Sequence, residues 1–457
     1  MRWKGKLGLG MAFLLGTQTY APAQNFSTGV AQPDTIIQVQ VVAPAAQPAP
    51  TAQPAPMSPA PLAMAPVMES DNPHTGGTVG GGGTYGPASV QSVKFLQGLL
   101  PADSPLVVYG WLEGDYTYRS SGAGRTTVAP VMNRYGNEAL LRQAVIRIEK
   151  PLDPNCWSWG FNVQAMAGAD AAFINPTKGA IIRNPDPRMG FEFADLNLTA
   201  HAPILTDGGV DFKIGRQTTV LGSQAAQAPW RVFASSDYQW YAAQEGRFTG
   251  ITANWHVNKQ LDIYAGVNMG WGTFFEWLSV APTYIMQVNY GLDESKDTLI
   301  TGSITWGPER PGYTGLTYSG ELRLTQKWSP CFSTILQSQM VYSNGGYAPF
   351  RPAVVKERAT GIYALAQYHL NECVDLNVRA EWYEDTNGGS YPGGGLTLRP
   401  NDYYAGTVGV NYHPNKWLEL RPELRYDFAD HPAFGAVDRP NPLRSQFSAV
   451  FIVLVKF

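Results

Sequence analysis

Large apolar residues alternate one by one with polar or charged residues in segment after segment from residue 107 onward. In the clearest segment, 374–383, Val374 and Trp382 belong to the apolar set, whereas Asp375 and Arg379 belong to the charged set. Successive side chains of a β-strand point to opposite faces, so each such segment has one apolar face and one charged face. Long strands with this pattern are typical of a barrel with lipid outside and water inside. The sequence therefore predicts an all-β fold, a transmembrane antiparallel β-barrel.

Short turns and longer loops alternate between these segments, and together they predict sixteen strands. The short turns fall at 150–155, 201–204, 256–260, 292–296, 327–330, 369–372 and 413–416. The longer loops fall near 120–138, 169–189, 217–245, 272–281, 307–314, 344–358, 386–401 and 429–444. We predict strands near 107–118, 139–149, 157–168, 190–200, 209–216, 246–256, 260–270, 283–290, 298–306, 315–326, 332–342, 359–369, 374–384, 402–412, 417–428 and 445–457. A barrel of sixteen strands is wide enough for an aqueous channel.

The last strand is apolar to the final residue. One face of it carries Phe447, Phe451, Val453, Val455 and Phe457. A free apolar edge invites aggregation, and a closed barrel has no free edge. We therefore predict that this strand closes the barrel onto the first strand. A terminal phenylalanine also resembles the signal by which outer-membrane barrels are handed to their insertion machinery, so that machinery is an expected partner.

The N-terminal region has the composition of an exported leader followed by a linker. A basic start, an apolar stretch and Ala21-Pro-Ala23 predict a signal peptide over residues 1–23. Residues 24–87 are rich in Pro, Ala, Gln and Gly and cannot bury a core, which predicts a disordered linker. Residues 88–104 form a lead-in with a possible short helix, and the barrel covers 105–457. We expect the linker to lie in the periplasm and to reach a partner in the cell envelope.

The charged faces of the strands are the candidate walls of a pore. They carry Arg147, Asp211, Lys213, Glu321, Arg323, Arg379, Glu381, Glu419, Arg421, Glu423, Arg425 and Asp427. The signs are mixed, so strong ion selectivity is not expected. The loop 218–245 either packs on its neighbours at the surface or folds inward and narrows the channel; the inward position is favoured because long loops without structure of their own are usually functional. Its Arg231, Asp237 and Glu245 would then lie at the narrowest point.

Other classes of function have little support in the sequence. A net charge of −3 argues against a nucleic-acid partner. Four of the six histidines open short turns, which is a feature of the turns and does not form a catalytic centre. No Cys/His spacing predicts a metal site, and no cofactor is expected. The leading hypothesis is a channel for small hydrophilic solutes. The alternative is a structural or adhesive barrel with a blocked lumen, and an enzymatic barrel is the least favoured.

Three motifs resemble a known family. They are residues 108–118 (VYGWLEGDYTY), 191–198 (FEFADLNL) and 210–217 (VDFKIGRQ). The first resembles the opening strand of the OmpL-like beta-barrel porin-2 family, and the other two resemble its following hairpin with a Gly-Arg exit into a long loop. The resemblance covers residues 105–457. It implies an outer-membrane protein, surrounded by lipid, for passive diffusion, and it supplies no specific substrate.

Overall fold

The strands close into an antiparallel barrel of sixteen, which confirms the predicted fold. The computed structural model describes residues 95–125, 135–174, 178–179, 188–242, 244–309, 314–344, 356–388, 400–435 and 442–457. The predicted signal peptide, linker and first part of the lead-in lie outside these residues. The barrel strands are β1 Val107–Arg119, β2 Glu138–Lys150, β3 Ser158–Gly168, β4 Gly190–Ala202, β5 Val210–Thr218, β6 Arg247–His256, β7 Leu261–Asn268, β8 Thr283–Gly291, β9 Thr298–Gly307, β10 Thr317–Ser329, β11 Phe332–Asn344, β12 Lys356–Asn371, β13 Val374–Asp385, β14 Asn401–Asn415, β15 Leu418–Ala429 and β16 Ser445–Lys456.

Each strand pairs with the next along the chain, and β16 pairs with β1. The register at this seam places Trp111 opposite Lys456. The main chains of Gly110 and Phe457 exchange two hydrogen bonds, at 2.7 and 2.9 Å. The Phe457 ring lies over Gly110, where an added Cβ would come within 2.6 Å of it. A glycine at this position therefore leaves room for the terminal phenylalanine.

Short helices and a small two-stranded sheet lie outside the barrel strands. A 3-10 helix at Gln97–Leu99 precedes β1, and Gln97 binds the main chain at Leu106 (3.0 Å) and Val108 (2.9 Å). Within the described residues, two α-helices of five residues each lie in the loops, and the sequence analysis missed both. The remaining elements are α1 Ala169–Phe173, a 3-10 helix Ala228–Trp230, α2 Tyr238–Ala242 and a two-stranded hairpin of Gly124–Arg125 with Tyr135–Gly136. Along the described parts of the chain, no helix is both long enough and apolar enough to cross a membrane.

The two faces of the strands differ as the alternation predicts. On β15, Leu424 and Tyr426 face outward and are about half exposed, whereas Arg425 and Asp427 face inward and are buried. Exposed aromatic side chains gather at both ends of the barrel, where interfacial rings prefer to lie. They include Trp157, Trp328, Tyr368, Tyr412 and Trp417 near the short turns, and Tyr116, Tyr118, Tyr404 and Tyr426 near the long loops.

One part of the inner wall is apolar, and the alternation rule alone does not reveal it. Val450, Ile452 and Leu454 of β16 point inward and pack with Tyr109 and Trp111 of β1. The sequence of β16 is apolar on both faces, so its pattern marks no boundary between lipid and lumen. This apolar patch gives an inner loop a surface on which to pack.

Candidate functional site

The loop between β5 and β6 folds into the lumen; we call its residues 219–246 the strap. Its base is closed by a hydrogen bond from the Thr219 N–H to the Gly246 carbonyl, at 2.9 Å. Nearly all strap side chains that the structure describes are buried, including Ala228 and Tyr238, which are 0% and 1% exposed. A loop packed on the outer surface would expose such side chains. The strap therefore takes the inward one of the two positions that the sequence left open.

The strap crosses the lumen from one wall to the opposite wall. Near its start, the N–H of Ser223 donates to Gln337 of β11 at 3.0 Å. Three residues later the carbonyl of Ala226 accepts from Gln143 of β2 at 2.7 Å. Strands β2 and β11 are seven steps apart one way around the sixteen-stranded barrel and nine steps the other way. They stand on opposite walls, so the strap divides the lumen.

The strap then returns along the wall of β13 and β15, where predicted wall arginines hold its main chain. Each of three guanidinium groups donates to a strap carbonyl. The pairs are Arg379 to Ser235 (2.9 Å), Arg421 to Ala228 (2.8 Å) and Arg425 to Ser236 (3.3 Å). A charged donor strengthens such hydrogen bonds. The basic residues of this wall are thus occupied by the strap.

Carboxylates of the same wall bind the N–H groups of the strap. Glu423 accepts from the N–H groups of Ala234 (2.6 Å) and Ser235 (3.1 Å). The N–H of Tyr238 donates to Glu381 at 2.9 Å. Its hydroxyl donates to Asp427 at 2.7 Å. Alternating carboxylates and arginines therefore match the alternating donors and acceptors of the strap main chain.

Ion pairs also link the wall residues to one another. Arg425 lies 2.6 Å from Glu381 and 2.8 Å from Asp427, and Arg379 lies 3.3 Å from Glu381. Arg421 pairs with Glu419. All of these side chains are buried or nearly so. The wall of β13 to β15 is therefore a network in which each positive charge already has a negative partner.

Apolar contacts anchor the strap at two further points. Trp230 packs edge-on against Trp111 of β1, with ring centroids 5.4 Å apart, beside the apolar patch of β16. On the other wall, Phe233 packs with Tyr363 of β12. Its ring lies over Gly409 of β14, where an added Cβ would come within 3.0 Å. The sequence analysis missed both anchors because each depends on which strand lies opposite the loop.

The three strap residues predicted to lie at the narrowest point are spread along the strap. Arg231 forms ion pairs with Glu113 of β1 and, at 3.4 Å, with Asp170 of α1. The Asp237 carboxylate, just before α2, accepts the N–H of Trp240 at 2.9 Å. These contacts belong to different parts of the lumen. The structure does not bring the three side chains to one point.

Glu245 lies at the base of the strap beside a second buried acid. Its carboxyl accepts from the Thr219 hydroxyl (2.9 Å) and from the Asn268 amide (3.2 Å). Burial raises the pKa of Glu245 to about 8, and the neighbouring Glu309 adds to the shift. Burial likewise raises the pKa of Glu309, in the loop after β9, to about 7. Both carboxyls are thus poised to titrate near neutral pH.

The remaining predicted wall residues lie on the other sectors of the barrel. Arg147 pairs with Glu149 (2.8 Å) and Asp195 (3.1 Å). Glu321 pairs with Arg323 at 3.3 Å. Glu321 also accepts the N–H of Gly222 at 2.5 Å. Of the two remaining predicted residues, Asp211 binds two histidines and Lys213 lies half-buried on β5.

The histidines that open short turns bind carboxylates of neighbouring strands. Asp375 of β13 accepts from His369 of β12 and lies 3.2 Å from Nε2 of His413 of β14. The same arrangement recurs around Asp211, which binds His201 (2.7 Å) and His256 (3.2 Å). The spacing of a histidine and the acid that begins the following strand is visible in the sequence, although the sequence analysis did not use it. These pairs tie neighbouring hairpins together at the short-turn end.

Other chemistry-bearing groups stand apart from the lumen network. Cys156, Cys331 and Cys373 are exposed on short turns, with free thiols. In the portion of the chain that the structure describes, no three His, Cys, Asp or Glu side chains are grouped so that they could hold a metal ion.

Comparisons with known proteins agree on the class of the barrel. The outer membrane channel DcaP of Acinetobacter baumannii superimposes with a TM-score of 0.51 at 10% identity, over 77% of this chain and 97% of that one. An anion-selective porin from Comamonas acidovorans superimposes with a TM-score of 0.52 at 10% identity, over 77% of this chain and 99% of that one. No curated protein matches the chain by sequence.

The family match covers the whole barrel. The sequence model of the family described as "Putative beta-barrel porin-2, OmpL-like" matches residues 105–457. The matched region begins just before β1 and ends with the last residue of the chain. The chain therefore belongs to the OmpL-like beta-barrel porin-2 family, whose members are porins of the outer membrane.

Proposed function

We propose that the protein is a passive, water-filled channel for small hydrophilic solutes across the outer membrane. The observation that carries this proposal is a sixteen-stranded barrel with a charged inner wall that is divided by the strap. Sixteen strands enclose more volume than side chains alone can fill. A loop across such a lumen narrows the passage without abolishing it, which suits size-limited diffusion.

The polar side chains of the wall favour hydrophilic, hydrated solutes. Buried carboxylates, arginines, amides and hydroxyls line both sides of the strap. A polar wall replaces part of the hydration of a small polar solute, and it provides no comparable contacts for an apolar solute. The selectivity in the name of the Comamonas acidovorans porin belongs to that protein, because a likeness at 10% identity supports the fold alone.

A second candidate is a barrel whose lumen is blocked and whose role is structural or adhesive. The strap's two apolar anchors and its hydrogen bonds to opposite walls favour this reading. A loop fixed at so many points does not swing aside easily. The two candidates differ in one measurable property, which is whether ions cross the folded protein.

Single-channel recording in planar lipid bilayers separates them. We expect stepwise conductance from the purified barrel, and larger steps from a variant in which residues 224–241 are replaced by a short Gly-Ser linker. Folded protein is verified by heat-modifiable migration on a detergent gel. A silent unmodified protein together with a conducting strap variant would favour the blocked barrel. Silence of both would reject the channel.

Two partners are proposed with this function. The insertion machinery of the outer membrane would recognise the C-terminal strand, whose outward face carries Phe447, Phe451 and Phe457. The linker preceding the barrel would lie in the periplasm, because the ends of an even-stranded barrel share that side. Its composition suits an extended tether to a component of the cell envelope.

A further inference from the structure

Acidic side chains outnumber basic ones inside the barrel. Among the described residues, buried carboxylates exceed buried arginine and lysine side chains by eighteen to eleven. The two buried histidines, His201 and His256, are too few to balance the difference even when charged. The sequence as a whole has a net charge of only −3, so this surplus is concentrated in the interior.

Most buried basic side chains among the described residues pair with a carboxylate. Arg425 pairs with both Glu381 and Asp427, and Arg147 pairs with both Glu149 and Asp195. A guanidinium flanked by two carboxylates contributes little positive potential beyond its own contacts. The arginine wall is therefore a poor attractant for anions.

Several carboxylates along the strap lack a direct ion pair of this kind. Asp237, Glu245 and Glu423 form no ion pair with any residue that the structure describes; their partners are N–H groups, hydroxyls and an amide. Glu309, beside Glu245, is in the same position. Neutral donors leave the negative charge of an ionised carboxylate in place. These four side chains accompany the strap across the lumen and at its base.

We propose that the channel is cation-selective and that Asp237, Glu245 and Glu423 are the residues that set the selectivity. The inference rests on the proposed function, since it concerns the ions that a conducting lumen admits. A narrow aqueous passage with low-dielectric walls focuses the field of nearby charges and enriches counter-ions. The solutes favoured are small inorganic cations and small solutes that carry an ammonium group.

The degree of selectivity should depend on pH. Burial and mutual proximity raise the pKa of Glu245 to about 8, and burial raises the pKa of Glu309 to about 7. The side chains around them are Thr219, Asn268 and Tyr264, together with Thr283 and the Trp271 N–H, and none of these is cationic. A carboxyl below its pKa is neutral, so raising the pH adds negative charge at the base of the strap.

The experiment measures the reversal potential of the full-length protein in planar bilayers under a KCl gradient. We expect a potassium-to-chloride permeability ratio above unity that rises from about pH 6 to about pH 9, because carboxyls with raised pKa ionise in that interval. The variant Asp237→Asn/Glu245→Gln/Glu423→Gln keeps the shape of the three side chains and one acceptor oxygen on each, and it removes their negative charge. Its ratio should fall toward unity and rise less with pH, since Glu309 is then the titrating carboxyl that remains at the base of the strap.

The matched control is Glu372→Gln, which removes one carboxylate from an exposed short turn and should leave the ratio unchanged. A conducting protein whose ratio is at or below unity, or a triple variant as selective as the original, would overturn the inference while leaving the channel intact. A bilayer that stays silent with folded protein rejects the proposed function itself, and the inference with it. If the triple variant does not fold, the pH series on the unmodified protein decides.

Discussion

Arg425 illustrates how one wall residue serves both the strap and the pore. It pairs with Glu381 and Asp427 and donates to the Ser236 carbonyl. Replacing Arg421 and Arg425 by glutamate should shift the reversal potential toward cations, because lumen substitutions tune selectivity. The outward face of β15 is untouched, so the barrel should still insert. Reversal potentials in a salt gradient provide the measurement.

The same double substitution should also loosen the strap, in addition to changing the charge of the lumen. Each lost guanidinium removes an ion pair from buried carboxylates, and breaking a buried ion pair costs about 3–5 kcal/mol. We expect the strap to loosen, with noisier current, while heat-modifiable migration persists. A shift toward anions would mean that the strap, once loosened, exposes other charges.

Leu424 tests the opposite face of the same strand. Its side chain is half exposed on the outer surface, near the middle of β15. Leu424→Arg should destabilise the barrel by about 2–4 kcal/mol, the cost of a charge near the bilayer midplane. Urea unfolding in lipid vesicles measures the loss, and Leu424→Val is the apolar control. A conducting Leu424→Arg channel should keep its selectivity.

For single residues, the sequence predicts well on which face of a strand a side chain lies, but it predicts poorly which groups that side chain contacts. The inward or outward direction of Arg379, Arg421 and Leu424 follows from alternation alone. The ion pairs of Arg425 with its own-strand neighbour Asp427 follow too, since two residues apart on one strand share a face. The hydrogen bonds to strap carbonyls do not, because they depend on where a distant loop comes to rest.

At the scale of secondary-structure elements, one contact between the strap and the barrel wall depends on the absence of a side chain at Gly409. Phe233 lies over Gly409, within 3.0 Å of where a Cβ would be. Gly409→Ile should therefore push Phe233 off the wall, at a cost of about 1–3 kcal/mol for overpacking. We expect a changed single-channel conductance in bilayer recordings and little change in the unfolding of the barrel.

Gly406 on the same strand provides the matched control. It faces outward, and an added Cβ there meets nothing within 4 Å. Gly406→Ile should leave conductance unchanged, because the new side chain points into lipid. Equal effects of the two substitutions would show that Gly409 acts through strand β14 and has no special relation to the strap.

The short turns form a second testable element. Asp375 receives His369 and His413 from the two neighbouring strands, so one carboxylate ties three strands. Asp375→Asn should weaken both contacts and lower the free energy of unfolding by about 1–3 kcal/mol, the usual cost of a disrupted buried hydrogen bond. Tryptophan fluorescence during urea unfolding measures this. Glu372→Gln on the adjacent exposed turn should cost almost nothing.

Sequence reasoning placed these elements but not their arrangement inside the lumen. The length of the loop after β5 predicts that it has a role, and its inward position is one of two that the sequence allows. Its path from β11 to β2 and back requires the barrel to be closed first. The apolar patch of β16 could have been suspected, because both faces of that strand are apolar.

For the whole molecule, the region ahead of β1 should be separable from the barrel. Residues 28–85 lack the apolar content to pack, and the predicted linker lies outside the described residues. A variant that lacks them should still reach the outer membrane and show heat-modifiable migration. Protease added to the periplasm should cut the intact chain in this region. A barrel that no longer assembles would assign the linker a role in folding.

The fold itself was almost fully predictable, for a physical reason. A membrane imposes a two-sided environment on the strands, so the alternation recurs along most of the barrel and small local errors do not accumulate. The interior is under no such uniform constraint. Charges, amides and apolar side chains mix there according to what the strap contacts, and only the assembled barrel defines those contacts.

The seam between β1 and β16 has a kinetic consequence. Its contacts join residues at opposite ends of the barrel sequence; Arg119 and Ser448, for example, lie 329 positions apart. No earlier pairing substitutes for it, and contacts this remote in sequence form late and slowly. Until β16 pairs with β1, the edge of β1 is open and no closed lumen exists. A factor that binds the chain during assembly must cover the free edge of β1 until the last dozen residues pair with it.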